Sequence, residues 1–290
     1  MLRMAFGAVL AVLFALPAAA QDKSLLARGT YLMDSIVACG NCHVQRGEKG
    51  QPLKDKGLSG GMVFDEVPFK AYAPNITPDA ETGIGKWTDA QLAKAIREGV
   101  RPDGTVIGPP MPIMFYRGMA DEDLKAIIAY LRAQPAVKNK VPKSEYRIPL
   151  PPSYGPEVKN VVAPSRKDTL KYGAYLAGPM GHCLDCHTPW VKGVPDLTKA
   201  GAGGNPFRGP WGVAVSRNLT PHEQGLKGWS DAEIARAIRE GVRKDGTPLK
   251  PPMAYAWYKN IRDDDMKPLI AYLRSLKPLP LGGVSKPASQ

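Results

Sequence analysis

Two pentads in the chain bring together side chains that can do chemistry: Cys39-Gly40-Asn41-Cys42-His43 and Cys183-Leu184-Asp185-Cys186-His187. Two cysteines two residues apart serve as a redox dithiol, as half of a zinc site, or as the attachment point of a haem. A thioredoxin-like dithiol needs a strand before it in a βαβ setting, and helical sequence precedes both pentads. Zinc needs four ligands, whereas one pentad offers three, and pooling both into one site leaves their repetition without a reason. Haem attachment accounts for every residue. The two thiols add to the porphyrin vinyl groups, and the adjacent histidine becomes the proximal iron ligand. Every cysteine of the chain lies in a pentad. Cys39, Cys42, Cys183 and Cys186 are therefore expected to carry two covalent haem c groups, with His43 and His187 on the irons.

The pentads belong to a longer repetition at an offset near 143 residues. RGTYL (28–32) matches YGAYL (172–176), and PNITP (74–78) matches RNLTP (217–221). KWTDAQLAKAIREGVRPDGT (86–105) matches GWSDAEIARAIREGVRKDGT (228–247), PPMP (109–112) matches PPMA (251–254), and LKAIIAYLR (124–132) matches MKPLIAYLR (266–274). A tandem duplication of one domain follows. Between the halves, residues 135–168 hold seven prolines. Proline fixes φ and removes backbone donors, so this stretch reads as extended connector lying along a domain surface.

Each half reads as helical. Helices are expected over residues 24–38 and 169–180. Thr88 with Gln91, and Ser230 with Glu233, form capping boxes that open a helix stopped by Gly99 or Gly241. The last helix of each half starts near Asp121 or Asp263 and ends before Pro135 or Pro278. No alternating strand pattern stands out, and the expected fold is mostly α with long loops.

What fills the sixth iron position separates electron transfer from catalysis. Two histidines lie outside the pentads. His182 is tethered too closely to Cys183 to reach the distal face, and His222 answers to Asp79 in the other half. Of ten methionines, only Met111 and Met253 recur at equivalent positions, each directly after Pro-Pro. They are expected as distal ligands. His/Met ligation raises the reduction potential and closes the iron to other ligands, which points to electron transfer.

The amino end carries Arg3, an apolar run over residues 5–16 and then Pro17-Ala18-Ala19-Ala20. This is the pattern of a cleaved secretory leader, ending between Ala20 and Gln21, and it predicts export to the periplasm. The expected organisation is leader 1–20, first haem domain 21–134, linker 135–168, second haem domain 169–279 and tail 280–290.

The order CxxCH, N-[IL]-T-P, W-[ST]-D with AIREGVRxDGT, PPM and AYLR resembles class I cytochrome c domains. It is similar in particular to the cytochrome c subunits of bacterial periplasmic alcohol, aldehyde and gluconate dehydrogenases. Such subunits often carry three haem domains and sometimes a membrane-associating tail; this chain has two pentads and ends in LGGVSKPASQ, with no anchor. The resemblance implies that Gly29 with Tyr130, and Gly173 with Tyr272, mark the crossing of first and last helices. It implies that the Pro189 carbonyl takes the Nδ1 proton of His187; Val44-Gln45 stand at that place after His43. It also makes Trp87, Trp229, Arg101 and Arg243 candidates for the haem propionates.

The net charge of +12 is dispersed along the chain. In an exported protein it argues against nucleic acid and for steering toward an acidic redox partner. The expected donor is a periplasmic dehydrogenase and the expected acceptor a cytochrome or terminal oxidase, with no integral membrane anchor and at most peripheral association. The competing class is a dihaem enzyme, such as a thiosulfate dehydrogenase or a peroxidase, with one labile axial ligand.

Overall fold

The computed structural model describes residues 18–283, apart from 49, 192 and 210. The expected leader lies outside the described residues up to residue 17, and the expected tail does so from 284. Two successive segments carry one order of elements. The first has α1 (Ala18–Asp34), the pentad turn α2 (Gly40–His43), a hairpin of β1 (Val63–Glu66) and β2 (Phe69–Tyr72), α3 (Asp89–Glu98), the short α4 (Ile113–Tyr116) and α5 (Asp121–Ala133). In the linker, β3 (Glu145–Tyr146) adds a third strand to that hairpin. The second segment repeats the order with α6 (Thr169–Tyr175), α7 (Cys183–Cys186), the two-residue strands β4 (Trp190–Val191) and β5 (Val194–Pro195), the hairpin β6 (Pro206–Gly209) and β7 (Gly212–Val215), α8 (Asp231–Glu240), α9 (Tyr255–Tyr258) and α10 (Asp263–Ser275).

Local chemistry explains the helix boundaries. Thr88 and Ser230 accept from the backbone of Gln91 and Glu233, whose side chains reach back to the cap N–H, so both capping boxes are closed. Gly99 and Gly241 end these helices at φ 68° in the left-handed region. Three acidic residues open α5 and three open α10, complementing the positive helix end. From the far end of each, Arg132 and Arg274 reach Asp89 and Asp231 at 2.9 and 2.6 Å and also bond the carbonyls of Trp87 and Trp229. One arginine thus ties the last helix to the start of the capped helix in each half.

The expected helix over 169–180 is α-helical only to Tyr175. Pro179 cannot donate to the ladder, and residues 176–180 form a π turn instead. The first helix runs to Asp34 and stops short of the pentad. The hairpins depart from the strand-free reading. Their strands are four residues or fewer, below the length at which alternation can be read. The linker is more than a spacer. Tyr146 and Tyr154 donate to the carbonyls of Pro109 and Ile107 at 3.1 and 2.8 Å, bracing the loop that carries Met111.

The first and last helices of each half cross where the side chain is smallest. A Cβ on Gly29 would stand 2.0 Å from the Ala126 carbonyl oxygen and 3.1 Å from Tyr130 Cβ; one on Gly173 would stand 2.0 Å from the Pro268 carbonyl oxygen and 2.8 Å from Tyr272 Cβ. One apolar core runs through both halves, with Leu32, Ile36 and Ile127 on one side and Leu176, Met180 and Leu269 on the other. Gly29→Ala and Gly173→Ala are each expected to lower unfolding free energy by about 1–3 kcal/mol through overpacking. Denaturant midpoints falling at unchanged slope would record this; an unchanged midpoint would contradict the close crossing.

Candidate functional site

Each pentad is entered through a backbone turn that side chains rarely adopt. Ala38 and His182, the residues before Cys39 and Cys183, sit at φ 50° and 38°. Left-handed conformation costs a non-glycine residue about 1–2 kcal/mol, so equivalent residues in both halves hold it against a local penalty. The pentads then form the single turns α2 and α7.

The histidine of each pentad is fixed by a backbone carbonyl from a distant loop. His43 Nδ1 lies 2.8 Å from the Pro74 carbonyl oxygen, and His187 Nδ1 lies 2.7 Å from that of Arg217. A carbonyl oxygen only accepts, so Nδ1 carries the proton and Nε2 keeps its lone pair for a metal. Burial lowers both imidazoles from their ordinary pKa, with the carbonyl contact opposing it, which favours the neutral, ligating form. The expectation that Pro189 would serve His187 is corrected here. Its carbonyl accepts from the Asp196 N–H at 2.8 Å instead, and the residue is not among those lining the cavity.

The carbonyls at 74 and 217 are held by the N-[IL]-T motif, whose role the sequence reading left open. Asn75 Oδ1 accepts from the N–H and hydroxyl of Thr77 at 3.0 and 2.7 Å, and its Nδ2 donates to the Val137 carbonyl at 2.7 Å. Asn218 repeats this with Thr220 at 2.8 and 2.7 Å and with the Leu279 carbonyl at 2.7 Å. All four side chains are buried. Glycines close the loop from the other side: the N–H groups of Gly60 and Gly203 donate to the carbonyls of His43 and His187 at 2.7 and 2.8 Å. A Cβ on either would stand 2.6 Å or less from the peptide that serves the histidine. The signal was present in the sequence, since Gly60-Gly61 and Gly203-Gly204 recur at the repeat offset.

Both pentads open on one continuous cavity of about 1800 Å³. A pocket for one ligand holds roughly 300–1,000 Å³, so the volume suits two large groups. Cys39, Cys42, His43, Trp87, Arg101 and Met111 line it from the first half; Cys183, Cys186, His187, Trp229, Arg243 and Met253 line it from the second. The geometry therefore brings every expected ligand and pocket residue to the cavity except Pro189. His222 accepts from the Gln224 N–H at 3.1 Å on its own loop. His182 does face the cavity, edge-on to Tyr116 at 5.7 Å between ring centres.

The thiols are poor redox nucleophiles. Burial pushes Cys39 and Cys183 up to about 12 and Cys42 to about 11, opposite to the lowered pKa of a catalytic dithiol. Among the described residues no cluster of three or more His, Cys, Asp or Glu side chains could hold a metal ion by itself. The cavity asks instead for an apolar group bearing anions. Arg243 lines it with a buried Nε that has no hydrogen-bond partner. Neighbouring Arg217 is held below its ordinary pKa by burial and then by the Arg243 charge, with the Asp245 carboxylate opposing them. A porphyrin with two propionates fits that need.

Comparison with known proteins agrees. The family model described as cytochrome c matches residues 26–135 and again 171–277. The chain is 30% identical to the cytochrome c subunit of alcohol dehydrogenase (quinone) of Gluconobacter oxydans over 90% of this chain and 56% of that protein. It is 31% identical to the gluconate 2-dehydrogenase cytochrome c subunit of Pantoea cypripedii over 88% of this chain and 60% of that protein. A diheme cytochrome c-type protein of Cereibacter sphaeroides is 28% identical, with 81% of each chain covered. The chain thus spans little more than half the length of the two dehydrogenase subunits. The protein belongs to the cytochrome c family, which it matches twice. Its cofactors are two covalently bound haem c groups.

Asn75→Ala or Asn218→Ala strands a buried carbonyl and a threonine N–H, and each is expected to cost about 1–3 kcal/mol of stability. Chemical denaturation of the haem-loaded protein checks this, and a loss below about 0.5 kcal/mol would remove the clamp from the account.

Proposed function

We propose that the chain is a periplasmic dihaem cytochrome c, built by tandem duplication, that passes single electrons through two His/Met-ligated haems. Cys39 and Cys42 hold one group by thioether bonds and Cys183 and Cys186 the other; His43 with Met111, and His187 with Met253, complete the two irons. The observation that carries the reading is the shared cavity, to which both histidines and the two matched methionines contribute. Haem supplies an iron that alternates between ferrous and ferric states; the chain's own residues tune and seal it. The Pro74 and Arg217 carbonyls raise the basicity of the histidines. Apolar lining such as Ile36, Leu131 and Leu273 keeps water from the irons.

The relatives support the choice of donor. Cytochrome c subunits named for alcohol and gluconate dehydrogenases support a periplasmic dehydrogenase as donor; a cytochrome or terminal oxidase is our proposal for the acceptor. Among the described residues no helix is long and apolar enough to cross a membrane. Leader cleavage after Ala20 is part of the same reading.

In the oxidised protein we expect a methionine-to-iron charge-transfer band from both haems. Met111→Ala and Met253→Ala should each remove one share of that band and lower one reduction potential by on the order of 0.1 V. High-spin signals, or rapid cyanide binding in the unaltered protein, would favour an open catalytic iron instead. A second expectation concerns encounter. The chain's net charge of +12 falls to +11 when Arg3 leaves with the leader, and ionised propionates lower it further while leaving it positive. The second-order rate of electron uptake from an acidic donor should therefore fall as salt is raised toward about 0.5 M. A flat salt profile would argue against steering by charge.

A further inference from the structure

The two halves are joined by a reciprocal pair of contacts that neither haem site requires. Tyr31 on α1 donates to Asp265 Oδ2 on α10 at 2.7 Å, and Tyr175 on α6 donates to Asp123 Oδ2 on α5, also at 2.7 Å. Tyr31 and Tyr175 are equivalent positions of RGTYL and YGAYL, and Asp123 and Asp265 are equivalent positions of the last helices. Each half lends its tyrosine to the other's carboxylate. That is the self-complementary pattern of a twofold dimer, here within one chain. The correspondence extends to the next bond: Tyr31 accepts the Arg262 N–H at 3.3 Å and Tyr175 accepts the Ala120 N–H at 3.1 Å.

Each carboxylate is buried and also anchored within its surroundings. Asp123 receives Arg28 Nε at 2.8 Å. The equivalent of Arg28 is Tyr172, whose hydroxyl donates to Asp265 at 3.0 Å, and the missing cation comes from the linker. Arg166 donates to Asp265 through Nη1 and Nη2 at 2.9 and 2.7 Å. Burial, then Asp265, pushes the Tyr31 hydroxyl up to about 12, and burial with Asp123 raises Tyr175 as well, so both remain donors. Removing either hydroxyl would leave a buried carboxylate short of a partner across the seam.

The same seam carries the pentads. Asn41 Nδ2 in the first pentad donates at 2.8 Å to the Pro252 carbonyl, next to Met253. Trp257 packs so closely on Gly40 that a Cβ there would stand 2.7 Å from its indole nitrogen. Tyr116 of the first half meets His182, the residue before Cys183, edge-on at 5.7 Å between ring centres. Any rotation of one half against the other therefore moves one haem attachment site relative to its counterpart.

We propose that Tyr31 and Tyr175 are positioning residues for electron exchange between the two haem sites, their bonds to Asp265 and Asp123 fixing the separation that the electron crosses. The exchange moves one electron from a ferrous iron to a ferric iron, and no atom or proton changes place. The two contacts lie in opposite senses across the seam. Loss of one leaves its counterpart to hold the register, whereas loss of both leaves the apolar core and the pentad contacts as the remaining restraint. The proposal rests on both sites holding haem, as proposed above.

The test uses the full-length haem-loaded protein and the variants Tyr31→Phe, Tyr175→Phe and the double variant, which keep the rings and delete only the hydroxyls. Exchange between the irons is measured on half-reduced protein by nuclear magnetic resonance exchange spectroscopy, with absorption spectra and thermal unfolding alongside. Each single variant should slow exchange about two- to threefold and the double variant at least about tenfold, with both charge-transfer bands retained. Thr88→Ala, which deletes a remote helix cap, should lower stability without slowing exchange. Parent-like exchange in the double variant overturns the proposal, and so does equal slowing in Thr88→Ala. A charge-transfer band absent from the unaltered protein counts against methionine ligation alone, because exchange is read between the irons whatever their distal ligands.

Discussion

The structure turns on one backbone oxygen in each half, the carbonyl of Pro74 and of Arg217, which takes the Nδ1 proton of the pentad histidine. A histidine that serves an iron must present a neutral ring in one tautomer and one orientation, and a single accepting carbonyl sets all three. Holding that carbonyl still takes most of the surrounding loop. Asn75 and Thr77 clamp it to the start of the linker, and Asn218 and Thr220 clamp its counterpart to the segment after α10. Gly60 and Gly203 approach from the other side at φ 77° and 69°, where a side chain would both clash and strain. Buried polar groups this dense are tolerable because nearly every one is paired.

Much of this could be read from the chain, for a physical reason. Capping boxes, helix-stopping glycines and the Gly29 and Gly173 crossings are local rules written in a few adjacent residue types, and repetition filtered chance from design. Met111 and Met253 were singled out by the same repetition, and both line the cavity. What stayed hidden depends on distant backbone. The Pro189 expectation failed because a carbonyl has no side-chain signature; any residue could supply it, and Arg217 does. The hairpins escaped because four-residue strands show no clear period. The bracing by Tyr146 and Tyr154 escaped because proline-rich sequence reads as spacer, while its aromatic hydroxyls had no visible acceptor.

The linker's place changes what a half contains. Val137 accepts from Asn75 and Thr77, and β3 pairs with β2, so the first site is finished by chain beyond its last helix. The second half meets the same need with Leu279, past the end of α10. The histidine clamp therefore extends each domain past the boundary that helix periodicity marks. Arg166 belongs to the same logic, since it gives Asp265 the cation that Arg28 gives Asp123.

Where the halves differ, the backbone role survives and the surface changes. Arg46 donates to the Asn41 carbonyl inside the first pentad. At the equivalent position Trp190 donates through its indole to the Asp185 carbonyl at 2.7 Å in the second. Both side chains perform one local task, holding the carbonyl of the pentad's third residue. Their outer faces are unlike, a guanidinium in one half and an exposed indole beside Val191 and Val194 in the other. A repeat under purely structural constraint would have no reason to separate these, because either donor satisfies the acceptor. The divergence therefore falls on the surface around each pentad and spares the geometry that holds its histidine, as expected when two equivalent sites keep one internal chemistry while facing different surroundings.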